Sequence, residues 1–268
     1  MKIKFNQYGE GNRRPISTLL KHLSPSALEA YKSCPKAFYY KYIAKIQLPQ
    51  KQIHLLFGEA FHKVLEISFE GHDLETALFR FGQEFDMAKL GKEEWEDHAK
   101  MLPMGKAMVE NYYKNKDALI EQFDLKNGKS EQWLKAVLED PFTKEELPIP
   151  MIGKVDRITD DEQIVEFKTS GGRWNEKEAQ QKLQTITYGW LHYQITGRHP
   201  KRILYIIFTK QKTPQIQIIE ANHLLEDYSK LFHEYKNIIN KVELGIFDKS
   251  ENYHQSFCDC FKYEEALS

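Results

Sequence analysis

Along the first 120 residues apolar positions recur at helical spacing, and beyond Gly128 they recur at the spacing of strands. In LSPSALEAYKSCPKAFYYKYI, Ser24 followed by Pro25 is a helix start, and Cys34 with Pro35 repeats the signal, so the pattern predicts short helices over about 25–33 and 35–45. HLLFGEAFHKVLEISFEG carries Phe57, Phe61, Val64, Leu65 and Phe69 on one face and stops at Gly71, predicting a helix over 54–70. Further helices are expected over 73–89 and 93–120, while the first 20 or so residues read as polar and irregular. EQWLKAVLED, PIPMIGKVDRIT and EQIVEFKTS then read as three successive strands separated by turn clusters. A helix ending at Gly197, a strand KRILYIIFTK, a shorter strand TPQIQIIE, a helix over 222–244 and an aromatic tail complete the chain. The order predicts one α/β domain over 1–268: a helical lobe at 22–120, a βββαβα mixed-sheet core at 129–244 and a tail at 245–268.

Two of these strands carry charge where core strands carry valine. Glu166 and Lys168, two apart in VEFKTS, share a face, and the preceding strand offers Asp156. The TDDEQ turn makes the pair an antiparallel hairpin, and Asp156 joins Glu166 on one face only if the loop is odd in length or bulged. Two carboxylates about 5 Å apart repel by about 3 kcal/mol at an effective dielectric of about 20. A hard divalent cation offsets that, and an adjacent lysine can orient water and stabilise charge on a phosphate. A surface salt bridge across a half-exposed sheet is the competing reading of these three residues. His62, with Gly58 and Glu66 one turn away on either side, makes a polar notch in an otherwise apolar helix, and Gln180, Gln184 and Tyr188 form one polar stripe on a later helix.

Composition narrows the class. With 41% hydrophobic and 13% aromatic residues, 268 residues suffice for a substantial core. No apolar run approaches the roughly 18–20 residues of a membrane helix, and the first residues carry charge without an apolar stretch, so a soluble, cytoplasmic protein with no membrane partner is expected. A formal net charge of −1 excludes a globally basic nucleic-acid protein but not a local basic stripe. Three cysteines, Cys34, Cys258 and Cys260, cannot all pair and suit a reducing compartment. No GxxxxGK[ST] occurs, so ATP-driven unwinding would fall to a partner. Lys32, Lys36, Lys41 and Lys45, interleaved with Tyr31, Phe38, Tyr39, Tyr40 and Tyr42, read either as a nucleic-acid surface or as core aromatics beside a solvated face.

Taken in order, LSPSALEAYKSCPKAFYYKYI, FGEAFHKVLE, IGKVDRI, VEFKTS and QKLQTITY resemble the RecB-type exonuclease branch of the PD-(D/E)xK nuclease superfamily, similar to CRISPR-associated and AddAB/RecB nuclease domains. The resemblance implies a restriction-endonuclease-like α/β core and a DNA nuclease dependent on Mg²⁺ or Mn²⁺. It implies metal ligation by His62, Asp156, Glu166 and the main-chain carbonyl of Phe167, with Asp156, Glu166 and Lys168 catalytic. Gln184 and Tyr188 match the trailing motif that supports the site or contacts DNA, and Arg157 is a further candidate of that kind, with Arg173 and Trp174 as smaller ones. Products with a 5′-phosphate and a 3′-hydroxyl, linear or single-stranded DNA ends as substrate, a helicase or recombination or adaptation partner, and roles in recombination, repair, phage DNA processing or CRISPR adaptation are implied in the same way. Many relatives also hold a [4Fe–4S] cluster on four cysteines. Here Cys34, Cys258 and Cys260 match in part, the C-x-C spacing departs from the pattern, and His254 is the candidate fourth ligand for a cluster or for zinc. Two other classes stay open: a non-catalytic DNA-binding or assembly subunit on a nuclease scaffold, and a regulatory metal-binding module built on the cysteines.

Overall fold

The computed structural model describes residues 13–48, 52–249, 258 and 260–267. The helices are α1 (Ile16–Leu19), α2 (Pro25–Ser33), α3 (Pro35–Phe38, continued by a π turn over Tyr39–Ile43), α4 (Ile53–Phe69), α5 (Leu74–Glu84), α6 (Trp95–Phe123), α7 (Glu176–Gln180), α8 (Leu183–Thr196), α9 (Leu225–Glu243) and α10 (Cys260–Leu267). The strands are β1 (Gly128–Ala136), β2 (Met151–Thr159), β3 (Gln163–Ser170), β4 (Arg202–Thr209) and β5 (Ile216–Ala221). They form one mixed sheet in the order β1-β2-β3-β4-β5, antiparallel except for β3 with β4, whose parallel pairing needs the α7–α8 crossover. The α/β restriction-endonuclease-like class expected from the sequence is therefore the observed one. Among the described residues no helix is long and apolar enough to cross a membrane.

Helices cover both faces of this sheet, and the strand sequences show why. β4, RILYIIFT, is buried almost throughout and lacks the polar alternation of a strand with one wet face. On one side α4, α5 and α6 pack Phe57, Phe61, Phe81 and Phe85 against Val165, Phe167, Leu204 and Phe208 of β3 and β4. On the other, α8 lies across the sheet, and a second layer joins α1–α3 to α9 through Tyr31, Phe38, Trp190, Phe232 and Tyr235. The helix expected as one piece before Gly197 is broken at Gln181–Lys182 into α7 and α8, and Gln180 bonds back to the β5 end at Glu220 and Asn222. A short α1 lies in the stretch read as irregular, and the aromatic tail contains α10.

Arg157 corrects an expectation. It is buried: Nε and Nη2 donate to the carbonyls of Leu125 and Lys126 and Nη1 to Ser130 Oγ, while its guanidinium lies 3.9 Å from the Phe69 ring centroid. All three nitrogens are engaged by protein, so the residue fastens the end of α6 to the sheet and is withdrawn from contact with DNA. Arg157→Ala leaves two carbonyls without donors and is expected to cost about 2–4 kcal/mol, read as a lowered urea midpoint at unchanged m-value.

Candidate active site

The site grows from a place where two strands part. β2 and β3 pair at Arg157↔Val165 and Ile158↔Ile164, and continuing that register by one step sets Asp156 opposite Glu166. The loop of residues 160–162 is odd in length, as expected, but the expected shared face is not formed, because Asp156 turns toward α4 and Glu166 toward α8. Val155 and Ile158 pack with the cluster beneath α8, whereas Asp156 between them turns to His62 of α4, so the alternation of β2 slips by one. Asp156 then fills the fork, where its Oδ2 accepts the Phe167 N–H at 2.7 Å in place of a strand partner.

His62 reaches the fork from the middle of α4, whose apolar residues fix its rotation against the sheet, and its Nδ1 lies 3.2 Å from Asp156 Oδ1. Burial alone would lower the imidazole pKa, and the hydrogen bond and charge of Asp156 outweigh it, leaving it above the ordinary value. Glu166, 1% exposed, faces α8. Its Oε1 accepts from Lys168 Nζ and from Gln184 Nε2, both at 2.6 Å, while its Oε2 is buried with no hydrogen-bond partner. Burial and then the nearby Asp156 charge push this carboxyl up to about 7 against the pull of Lys168. Burial opposes the Lys168 ammonium as well, but Glu166 offsets it and the ammonium is held above the ordinary lysine value. Gln184 Oε1 accepts from Lys168 Nζ at 2.7 Å, and Gln184 Nε2 also donates to the Tyr188 hydroxyl, which donates to the Lys154 carbonyl of β2 at 2.6 Å. Gln184 and Tyr188 thus form a brace from α8 through the acid–lysine pair to the far strand.

The sequence reading missed Glu131. Ligating atoms of His62, Glu131 and Asp156 lie within 4.8 Å of one another, a set that leaves Glu166 one step deeper in the fork. Glu131 sits in β1 across from Asp156, with φ of 57°, a left-handed conformation that costs a non-glycine residue energy and that recurs at functional sites. No spacing rule marks it; the only sequence signal is an acid in a strand that also carries Trp133 and Lys135. Lys154 forms an ion pair with Glu131, and the group lines a cleft of about 630 Å³ between α4 and the β1–β2 floor, with Gly58, Glu66, Lys168 and Thr169 also on its walls.

Hard oxygen donors and one imidazole, with a buried carboxylate oxygen left unpartnered, fit a divalent cation of the Mg²⁺ or Mn²⁺ type. Apart from this site, Cys34, Cys258 and Cys260 converge, their sulfurs within 4.8 Å of one another and all buried. Burial raises the Cys258 and Cys260 thiols. His254 lies outside the described residues. The lysine and aromatic stripe nearby resolves largely into core, with Tyr31, Phe38 and Tyr40 buried.

The family model of the PD-(D/E)XK nuclease superfamily matches residues 22–262. Among solved structures, a proposed exonuclease from Eubacterium rectale is similar at a TM-score of 0.56 and 16% identity, over 95% of this chain and 92% of that one, which is a likeness of fold. The protein SSO0001 aligns at a TM-score of 0.33 and 14% identity over 84% of each chain. No curated protein matches the chain.

Gly153 is the hinge of the brace. A Cβ there would lie 2.6 Å from Tyr188 Cε1 and 2.8 Å from its Cδ1, so Gly153→Ala must displace the ring whose hydroxyl holds β2. A loss of about 1–3 kcal/mol is expected, read by thermal melting, with Tyr188→Phe at Gly153 losing the hydroxyl alone and less stability.

Proposed function

The chain belongs to the PD-(D/E)XK nuclease superfamily, and on that premise we propose that it is a Mg²⁺- or Mn²⁺-dependent DNA exonuclease acting on linear or single-stranded ends. The observation that carries the reading is the convergence of His62, Glu131 and Asp156 beside a buried Glu166 with one unpartnered oxygen and a charged lysine. His62, Asp156, Glu166 and the Phe167 carbonyl would hold the ion, with Glu131 completing the set by leaving Lys154. When bound, the ion polarises a phosphate oxygen and acidifies water.

The chain's own groups supply the rest. Lys168, fixed between Glu166 and Gln184, presents its ammonium to the cleft, where it orients the attacking water and stabilises the negative charge growing on the phosphate oxygens. Attack in line with the 3′-oxygen breaks the P–O3′ bond and leaves a 5′-phosphate and a 3′-hydroxyl. Asp156 keeps the fork open by occupying the Phe167 N–H, which prevents β2 and β3 from zipping across the site. The presence of Asp156, Glu166 and Lys168 together, with Lys168 lining the cleft beside Asp156, supports an enzyme over a non-catalytic scaffold. Recombination, repair, phage DNA processing and CRISPR adaptation are the settings this activity suits.

On labelled linear DNA with Mg²⁺ or Mn²⁺, Asp156→Ala is expected to abolish release of nucleotides and Lys168→Ala to lower the rate by about 10²–10³-fold, with EDTA abolishing wild-type activity. Full activity of either variant overturns the assignment. The three converging thiols support a soft-metal site at the cysteines; visible absorbance of anaerobically purified protein together with iron and zinc analysis decides between an iron–sulfur cluster, zinc and a metal-free thiol core.

A further inference from the structure

Among the described residues the apolar packing of α4, α5 and α6 falls on β3 and β4, while over β1 and β2 α4 leaves the cleft open. On that side the edge strand β1 presents Trp133, 65% exposed, directly across from Lys154, which lines the cleft. Its other face, through Leu134 and Ala136, is the one packed into the core. Glu131, Trp133 and Lys135 follow one another at two-residue intervals, so Lys135 stands about 13 Å along the strand from the metal-ligand cluster. A tryptophan indole left this exposed beside a cleft is a large apolar surface held ready for a flat partner.

The same direction leads to a second concavity. Leu23 bridges Met151 and accepts the Ile152 N–H at 2.8 Å, which lays the segment before α2 alongside the start of β2, next to the partner strand of Lys135. There a pocket of about 400 Å³ is lined by Lys21, His22, Lys41 and Lys45, and no Asp or Glu lines it. Among the described residues these three lysines have no carboxylate partner, unlike Lys32 of α2 and Lys36 of α3, which pair with Glu234 and Glu264. Burial lowers the pKa of His22, and the charges of Lys135 and Lys21 lower it further. A chain with a net charge of −1 thus concentrates unpaired cations along one path that begins at its catalytic cleft.

We infer that this path, from the cleft over Trp133 and Lys135 to the pocket of Lys21, His22, Lys41 and Lys45, is the track of a single DNA strand, with Trp133 stacking on a base and the pocket seating backbone phosphate. The inference rests on the nuclease reading for the identity of the polyanion. Its own content is the route and the strandedness. Cations spaced around an exposed aromatic match a strand whose bases are free to stack, whereas a duplex hides its base faces and would use phosphate contacts alone. A nuclease so built holds its substrate by a single-stranded segment next to the scissile bond.

The test is binding measured without cleavage: fluorescence anisotropy of labelled single-stranded and blunt duplex oligonucleotides in EDTA over a range of salt. Trp133→Ala is expected to weaken single-strand binding about 10-fold, and Trp133→Phe to restore most of it. Lys41→Glu with Lys45→Glu is expected to weaken it further and to flatten the dependence on salt. Duplex binding should change far less, and melting curves of these surface variants should match the wild type. Wild-type affinity and salt slope in both variants overturn the track, and equal losses on single strand and duplex overturn its strandedness. Failure of the wild type to bind any oligonucleotide overturns it too, and a dimer dissolved by Trp133→Ala would then identify a second copy as the occupant. The nuclease reading fails separately, through absence of metal-dependent cleavage by a protein that still binds DNA.

Discussion

A carboxylate buried in the middle of a sheet, with one oxygen satisfied twice and the other left empty, is the constraint around which this molecule is arranged. Leaving a buried acceptor without a donor costs about 1–3 kcal/mol, more if it carries charge, and Glu166 adds the repulsion of Asp156 in the adjoining fork. Lys168 and Gln184 answer half of that demand and Tyr188 holds Gln184 in place, so α8 is laid across the sheet where those three groups can converge. Gly153 is the concession the backbone makes to that arrangement, since any larger residue would meet the Tyr188 ring. The unanswered half is the chemistry: a site that is incomplete by itself has affinity for what completes it.

The opposite side of the sheet answers a different demand, which is rigidity. The imidazole of His62 meets Asp156 at one angle only if α4 is fixed in rotation, and a helix is so fixed when its buried face is locked. Phe57 and Phe61 are locked by edge and tilted contacts with Phe81, Phe85 and Phe208, so α4 cannot roll without opening an aromatic core. The cleft is consequently the seam between a fixed helix and the floor formed by β1 and β2.

Local pattern revealed the parts of this architecture that depend on nearest neighbours. The period of the apolar residues located α4, α6 and α9 and all five strands to within a few residues, and the charges of VEFKTS stood out because a buried β3 has no other use for them. What stayed hidden depends on groups brought from elsewhere. Arg157 looked like a surface cation because nothing in VDRIT announces that the carbonyls of Leu125 and Lys126 lie within its reach. Glu131 was silent because its role comes from a left-handed residue opposite Asp156, 25 positions away, which no strand periodicity encodes. The break at Gln181–Lys182 escaped because α7 answers to the β5 end and not to its own helical pattern.

The layer that joins α1–α3 to α9 has a temporal meaning. Tyr31 donates to the Ile246 carbonyl, the Ile16 N–H donates to Glu243, and Arg13 pairs with the same acid, each across more than 200 residues of chain. Helices α1–α3, which also pack on Met151 and on Trp190 of α8, therefore reach their full set of contacts only once α9 has been made, and contacts of such separation close slowly. During synthesis the sheet and its acids can form before α1–α3 are settled against α9, and the cationic surface contributed by Lys21, Lys41 and Lys45 is complete only after that closure. A chain of a nuclease family would in this way complete that cationic surface last.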